Sequence, residues 1–472
     1  MKAVLDIGKT NVKLQLVDDS GQLCDSYSRK NLPINAEPFP HADTGGIWQW
    51  LLATLTNYSQ AKMIDAIIVT THGATAALIN SESGQDNDGL VLPILDYEFT
   101  GPNELDKEYS VLRPAFSESL SPDLPAGLNL GRQIFWLEKK FPEKFAKATH
   151  LLMYPQYWAW RLTGQLAGEV TSLGCHTDLW NPTAHHYSSL VEKCHWQRLL
   201  PPLQSAWASL GVVRPELAEA TGLPDNCKVY LGLHDSNASY LRYLCNDKTR
   251  RDSFTVVSTG TWTILMQARG VLSDLYKRRD TLANCDVYGD PIACARFMGG
   301  REYDAICQHL GGDISMPVSE QDVQTVLENL WMVTPDFSDG NGPYGGMKPQ
   351  WHCPQSASVA GAIATLYCAL MIDQRLNDLQ ATGAIYIEGA FLKNPILCAL
   401  VAQMRAHQPV YLSADDTGTV QGAILLTQFD DDVSNAQAAA VNLSLGSCNP
   451  SRFTGLNEYR AQWYELIEQA KN

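Results

Sequence analysis

Apolar and polar positions are most clearly patterned at the amino end of the chain. Ala3, Val4, Leu5 and Ile7 form a short apolar run, Gly8-Lys9-Thr10-Asn11 follows, and Val12, Leu14 and Leu16 alternate with Lys13 and Gln15. The run reads as a buried strand, the small polar residues as a tight turn, and the period of two as a returning strand with one buried face. Asp18-Asp19-Ser20-Gly21 makes the next turn, and Gln22 to Ser26 extends the meander. Further on, the apolar run Ile64 to Val69 ends in Thr70-Thr71-His72-Gly73-Ala74. That is a strand delivering polar residues to its carboxyl end, where ligands sit in open α/β sheets.

Between Leu128 and Gly164 the spacing turns helical, with Ile134, Leu137, Phe141 and Phe145 three and four apart and a second helix from Tyr154 to Leu162. Asn181 to Pro224 reads as irregular connection with short helical pieces, and Lys228 to Leu231 as a strand ending in Gly232-Leu233-His234-Asp235. The opening pattern then returns. Thr255, Val256 and Val257 lead into Ser258-Thr259-Gly260-Thr261, and Trp262 to Gln267 comes back as a strand, about 250 residues after the first copy. A repeated strand, turn, strand unit predicts two domains of related topology, residues 1–244 and 245–472. The second half continues with strands at Pro291 to Phe297, Ile385 to Ile387 and Val410 to Leu412. Helices are predicted from Gly299-Gly300 to Leu310, from Ala357 to Leu376, from Asn394 to Ala406, from Gly418 to Thr427 and from Gln462 to Ala470. Asp339 to Gly346 is expected as a Gly/Pro-rich loop, and the stretch after Asp430 as loosely packed.

Composition narrows the class. At 472 residues, 45% hydrophobic and 18% charged, the chain is a packed globular protein with ample core. Its 35 basic and 51 acidic residues give a net charge of −16. That excludes nucleic acid as an expected partner, since such binding draws on Lys and Arg, and leaves no polybasic membrane patch. No run approaches 18 apolar residues, and the opening is too short and too charged for a signal segment, so no membrane partner is expected. Twelve scattered Cys without a CxxC pair read as reduced thiols in a cytoplasmic protein.

Candidate chemistry collects at the two turns and one strand end. Gly8-Lys9-Thr10 imitates the end of a P-loop, but that motif requires Gly where Ala3 stands and a helix where a strand follows. What remains is a turn behind a carboxylate on a buried strand. Asp6, Gly8, Thr10, Asn11 and Lys13 offer backbone N–H groups, a hydroxyl and an amine to phosphate oxygens, with Asp6 facing a metal shell. A plain hairpin is the competing reading for one such turn; the second turn, Ser258 to Thr261, weakens it. Asp235 reads either as a helix N-cap, which Asp favours, or as a general base at a strand end. The histidine-rich stretch His176 to His195 has no zinc spacing and reads as surface. Phe297 to Glu302 opens a helix with two Gly, either near a nucleotide or as packing.

In order and separation, DIGKTNVK (Asp6 to Lys13), HDSNAS (His234 to Ser239) and STGTW (Ser258 to Trp262) resemble the FGGY family of carbohydrate kinases, with the rhamnulokinase and fuculokinase branch most similar; Leu151 to Gly164 resembles a helix region of the same family. The resemblance implies an α/β fold of two actin-like, ribonuclease-H-like ATPase domains with a cleft between them, taking ATP, Mg²⁺ and a ketose: a pentulose, a hexulose or a 6-deoxyhexulose such as L-rhamnulose or L-fuculose. It places Asp235 on the catalytic base and Asp6 on the Mg-linked carboxylate. Gly8, Thr10, Asn11 and Lys13 fall on the first phosphate turn and Gly260 and Thr261 on the second. Gly389, Asn394 and Gly418 fall in the adenosine region. His72, Gly73, Asp96 and His234 fall on the substrate side. A second copy of the chain is a candidate partner.

Three positions depart from the family pattern. Lys9 replaces a small residue, adding a phosphate contact or pointing outward. Glu388 precedes Gly389 where the adenosine motif begins Gly-Gly, and Leu95-Asp96-Tyr97-Glu98 replaces an Asp-x-Arg pattern, which implies a different sugar pocket. Two rival functions share these turns: an actin-like ATPase without a sugar acceptor, and a sugar-binding regulator without catalysis.

Overall fold

The computed structural model describes residues 1–83, 88–246, 252–338, 340–413, 417–429 and 443–470. Its contacts group the chain into unit 1, Met1–Arg250 with Ala283–Pro291 and Thr417–Val441, and unit 2, Arg251–Leu282, Ile292–Asp416 and Asn442–Asn472. The sequence reading expected one crossing near residue 245; the chain instead returns to unit 1 twice, and Gly418, expected in the second domain, belongs with the first.

Unit 1 is built on β1 (Lys2–Ile7), β2 (Asn11–Val17), β3 (Leu23–Lys30), β4 (Ala66–Thr71), β5 (Ser209–Val212), β6 (Lys228–Tyr230) and β7 (Leu233–His234). Their order is β3-β2-β1-β4-β6-β5, with β7 paired to the end of β4. β1 runs antiparallel to β2 and parallel to β4, and β7 is parallel to β4. Side chains of a strand alternate between faces. Ala3, Leu5 and Ile7 therefore join one core with Ile47, Leu51 and Trp158. Val4 joins another, with Ala238 and Leu241 of the helix Asp235–Leu244 and Val420 and Ile424 of the helix Gly418–Leu425. With helices on both faces, the strand reads as a continuous apolar run. Each such Leu or Ile contributes on the order of 1.5–3 kcal/mol by leaving water. Asp6 shares the face of Val4, which is the face carrying the helix that starts at Asp235.

Unit 2 repeats the plan with β8 (Phe254–Thr259), β9 (Thr263–Gln267), β10 (Thr281–Cys285, whose last three residues group with unit 1), β11 (Pro291–Phe297), β12 (Ala384–Gly389), β13 (Val410–Ser413) and β14 (Leu445–Ser447). The order is β10-β11-β9-β8-β12-β13-β14, with β8 antiparallel to β9 and parallel to β12. The run β11-β9-β8-β12-β13 matches β3-β2-β1-β4-β6, so a repeat that is faint in residues is plain in topology. The helix Ala357–Asp378 is long and apolar enough to cross a bilayer, but 78% of its apolar window is buried inside the protein. It packs against the helices Gly299–Leu310 and Pro395–Met404 as a core helix. The stretch after Asp430 that was expected to pack loosely lies outside the described residues up to 442.

Candidate active site

Strand register assembles the unit 1 site. Asp6 stands directly opposite Lys13 on β2 and Thr70 on β4, and one step on, Ile7, Thr71 and His234 lie side by side. Burial pushes the Asp6 carboxyl up to about 7; the charge of Asp235 adds to the rise and Lys13 opposes it. Two carboxyls and an ammonium thus meet at the carboxyl end of the sheet.

The first turn is closed by Gly8 N–H donating to Asn11 O at 3.0 Å, and Thr10 is exposed at its tip. Asn31, absent from the sequence reading, braces it from β3's end: its Nδ2 donates to Gly8 O at 2.7 Å and its backbone N–H to Thr10 O at 2.9 Å. Lys9 neither reaches a phosphate position nor points outward. Its Nζ pairs with Asp96, lies 3.4 Å from Glu98 Oε2 and sits 4.4 Å above the Tyr97 ring.

His234 occupies the N-cap position of the helix and caps nothing with its side chain, so Asp235 is the first helical residue and not a cap. One Asp235 oxygen, Oδ1, accepts from Ser236 N at 2.6 Å and faces His234 Nε2 at 3.3 Å. Oδ2 takes no hydrogen bond among the described residues, which leaves it open to a substrate hydroxyl. Sequence reasoning placed His234 against the sugar, but the ring is buried and both nitrogens are in use. Asn237 donates its Nδ2 to Cys285 O, so its Oδ1 must accept from His234 Nδ1 at 3.0 Å. Nε2 lies 3.3 Å from Asp235 Oδ1, and a proton on it would make the ring an imidazolium. Burial opposes that charge; Cys175, whose Sγ is 3.8 Å from Nε2, and Asp235 overcome it and raise the His234 pKa. His234 therefore holds Asp235 in place. Its own backbone N–H donates to Thr171 Oγ1 at 3.0 Å, and that hydroxyl donates to buried Glu169 Oε1 at 2.9 Å. Gly73 fits against this ring: a Cβ there would stand 3.0 Å from His234 Nε2 and 3.1 Å from Cys175 Sγ.

His72 and Asp96, both expected on the substrate side, line one small pocket with Lys9 and Tyr97. The His72 Nδ1 donates to Gly73 O at 3.0 Å, and burial holds its pKa low.

Unit 2 has its own cavity, of about 820 Å³, lined by Gly260 and Thr261 of the second turn, by Gly300 and Arg301 at the start of the helix Gly299–Leu310, and by Ile314, Met316, Phe391, Lys393 and Asn394. Gly260 N–H donates to Trp262 O at 2.9 Å to close the turn, and Gly300 N–H donates to Gly260 O at 3.1 Å. A Cβ at Gly300 would lie 2.5 Å from that oxygen, so only glycine lets turn and helix start meet. Exposed Arg301 and Lys393 supply cations, and half-exposed Ile314 and Met316 supply apolar surface. A turn with free N–H groups, a helix start, two cations and an apolar wall fit a nucleotide. Asn394 lines the cavity, but its amide is internally engaged: Oδ1 caps the helix Pro395–Met404 at Leu397 N, 3.1 Å, and Nδ2 donates to Thr365 Oγ1 at 2.8 Å. Gly389 does not line the cavity; it pairs with Thr259 at the end of β12, next to Ala390, which does. Gly418 belongs to unit 1, where it packs against Arg242 and Ser239.

Among the described residues no three His, Cys, Asp or Glu side chains converge on a metal position. Mg²⁺ fits nevertheless, because it is usually held by one or two carboxylates plus substrate phosphates, and Asp6 supplies such a carboxylate.

Two sheets of this shared topology, each with a polar turn between its first two strands, define a pair of actin-like ATPase domains. Comparison with known proteins places the chain more narrowly. The profile of the FGGY family of carbohydrate kinases, N-terminal domain, matches residues 126–241, and that of carbohydrate kinase FGGY, C-terminal domain, matches residues 251–437. A crystal structure of a carbohydrate kinase from Novosphingobium aromaticivorans is 32% identical and covers 99% of this chain and 100% of its own, with a TM-score of 0.87. The chain belongs to the FGGY family of carbohydrate kinases. Among curated proteins, an L-fuculokinase of Salmonella typhi is 24% identical over 285 residues, 57% of this chain and 56% of that one. A probable L-xylulose kinase of Pasteurella multocida is 26% identical over 275 residues, 55% and 54% respectively. The chain thus spans about half the length of the curated relatives it matches.

Proposed function

We propose that this protein is an ATP- and Mg²⁺-dependent sugar kinase that transfers the γ-phosphoryl group of ATP to a hydroxyl of a neutral ketose, most simply the terminal primary one. The observation that carries the reading is Asp235: its carboxylate is not spent as a helix cap, one oxygen is fixed by His234 and Ser236, and the other is open. Phosphoryl transfer needs little covalent help from protein; it needs positioning and charge neutralisation. Asp235 orients the acceptor hydroxyl and takes its proton, His234 keeps that carboxylate aimed, and the side of unit 1 that carries His72 and Asp96 faces the sugar. In unit 1 the Gly8–Asn11 turn offers the N–H groups of Lys9 and Thr10 and the ammonium of Lys13 to an anion; in unit 2 the N–H of Thr261 and the cations Arg301 and Lys393 border the cavity. Bound with the nucleotide, Mg²⁺ supplies further neutralisation of phosphate charge, with Asp6 as its protein ligand. The twelve free cysteines support a reducing, cytoplasmic setting.

A coupled ADP-release assay over pentuloses, hexuloses and 6-deoxyhexuloses tests this. ADP release that depends on one of these sugars is the expected result. Release at the same rate without sugar would move the protein to the ATPase rival.

A further inference from the structure

One buried nucleophile stands directly behind the proposed base. Cys175 follows the short helix Val170–Leu173, and its Sγ lies 3.8 Å from His234 Nε2. The ring between thiol and base is pinned from its far side. Asn237 Nδ2 donates to Cys285 O at 2.5 Å, so Asn237 Oδ1 accepts and His234 Nδ1, at 3.0 Å, keeps its hydrogen. Nε2 then faces two acids, Cys175 Sγ and Asp235 Oδ1, the latter at 3.3 Å. With the proton left on sulfur, the Nε2 lone pair would point at a carboxylate oxygen. Moved to Nε2, the same proton serves the thiolate and Asp235 Oδ1 together. Burial raises the Cys175 thiol, but the neighbouring rings of His176 and His234 outweigh it and bring it down to about 5. His176 Nδ1 donates to Leu128 O at 2.7 Å; His234 is the better home for the proton, because Asp235 stands beside its Nε2 as a second anion. Around the pair, burial holds the Cys285 thiol up and the His72 ring low. Asp6 feels the charge of Asp235, and Glu169 reaches His234 through the Thr171 hydroxyl.

We propose that Cys175 is a positioning residue for the base: its thiol hands its proton to His234 Nε2, and the resulting imidazolium fixes Asp235 Oδ1, leaving Oδ2 to the acceptor hydroxyl. The S–H bond breaks as the N–H bond forms, both within the pair, so the net charge is unchanged and no co-reactant is required. Serine fills nearly the same space but cannot act in this way, since a hydroxyl holds its proton far more tightly than a thiol does. The proposal rests on the sugar-kinase reading for the part played by Asp235, and goes beyond it in assigning the group behind that base.

The first test is ultraviolet absorbance of the full chain near 240 nm, where thiolates absorb and thiols do not, titrated from pH 4 to pH 8 without sugar or nucleotide. Wild type minus Cys175→Ser should show a step of one thiolate per chain below pH 7, the other cysteines cancelling. His234→Gln should lack the step. A missing step in wild type, or one that survives in His234→Gln and so places the proton on His176, overturns the proposal. The second test is a double-variant cycle. Cys175→Ser should lower kcat about tenfold with the KM for ATP kept, and should cost nothing further in Asp235→Asn, where the group it positions is gone. A loss that multiplies onto that of Asp235→Asn belongs to packing and overturns the proposal. Where circular dichroism shows Cys175→Ser misfolded, Cys175→Ala takes its place in both tests. Wild type without sugar-dependent ADP release removes the kinase reading, while the absorbance still judges the thiolate pair on its own.

Discussion

Glu302 lies at the start of the helix that borders the unit 2 cavity, and replacing it by Gln probes how that start is held. The side chain is 2% exposed. Met298 N–H donates to its Oε1 at 3.1 Å and the Tyr367 hydroxyl donates to its Oε2. Burial outweighs both bonds and pushes the carboxyl from an ordinary 4.5 up to about 7. The folded protein therefore holds a proton between those values that the unfolded chain has released, so Glu302's contribution to stability falls as pH rises from 4.5 to 7 and is flat beyond either end. At 1.36 kcal/mol per pH unit the full loss is roughly 3 kcal/mol. Gln cannot ionise and keeps an acceptor for Met298 N–H. Buried Asp6 and Glu169 also have raised carboxyl pKa values and slope the same way, so the useful quantity is variant minus wild type. Urea unfolding of both proteins at pH 5 and pH 8 should show Glu302→Gln gaining roughly 2.5 kcal/mol on wild type between the two, since part of the loss has already occurred by pH 5. A difference that stays constant within about 1 kcal/mol would refute the reasoning.

Three further substitutions probe the proposed chemistry. Asp235→Asn should lower kcat by roughly 10²–10⁴-fold with the KM for ATP nearly unchanged; near-normal turnover would remove Asp235 from its role. Gly300→Ala places a Cβ against Gly260 O, and forcing turn and helix apart should raise the KM for ATP roughly tenfold or more; initial-rate kinetics showing a raised sugar KM instead would contradict the assignment of the cavity. Gly73→Ala presses on His234 and Cys175. Steady-state rates should then show kcat reduced about tenfold through the displaced Asp235, with ATP affinity kept; an unchanged kcat would show that the His234 ring has room to yield.

Local pattern made β1, β2, β8, β9 and the helix Gly299–Leu310 legible, because each is a periodic run bounded by small polar residues or glycine. The pairing of the two turns was legible for the same reason. β5 and β10 escaped notice: both are short, and β5 sits in a stretch read as irregular because of its prolines. The positioning residues were hidden for a different cause. Asn31 acts on Gly8 over 23 residues and Thr171 on His234 over 63; Asp96 was read as a substrate-side residue, but its pairing with Lys9 over 87 residues was not. Such partners come together only through the sheet, and no local periodicity marks them. His234 shows the limit from the other side, since its position beside Asp235 was evident and its orientation toward Asn237 was not.

The helix Gly418–Leu425 packs directly on the helix that begins at Asp235, and this has a consequence for biosynthesis. The two helices are separated by more than 170 residues of chain. At about 5–20 residues per second, a ribosome needs on the order of 10–40 s to deliver the second after the first. Throughout that interval Ala238 and Leu241 lack their covering residues Val420 and Ile424. The proposed base is thus finished among the last parts of the nascent chain, and a truncated product ending before residue 418 would lack the cover of the base-bearing helix.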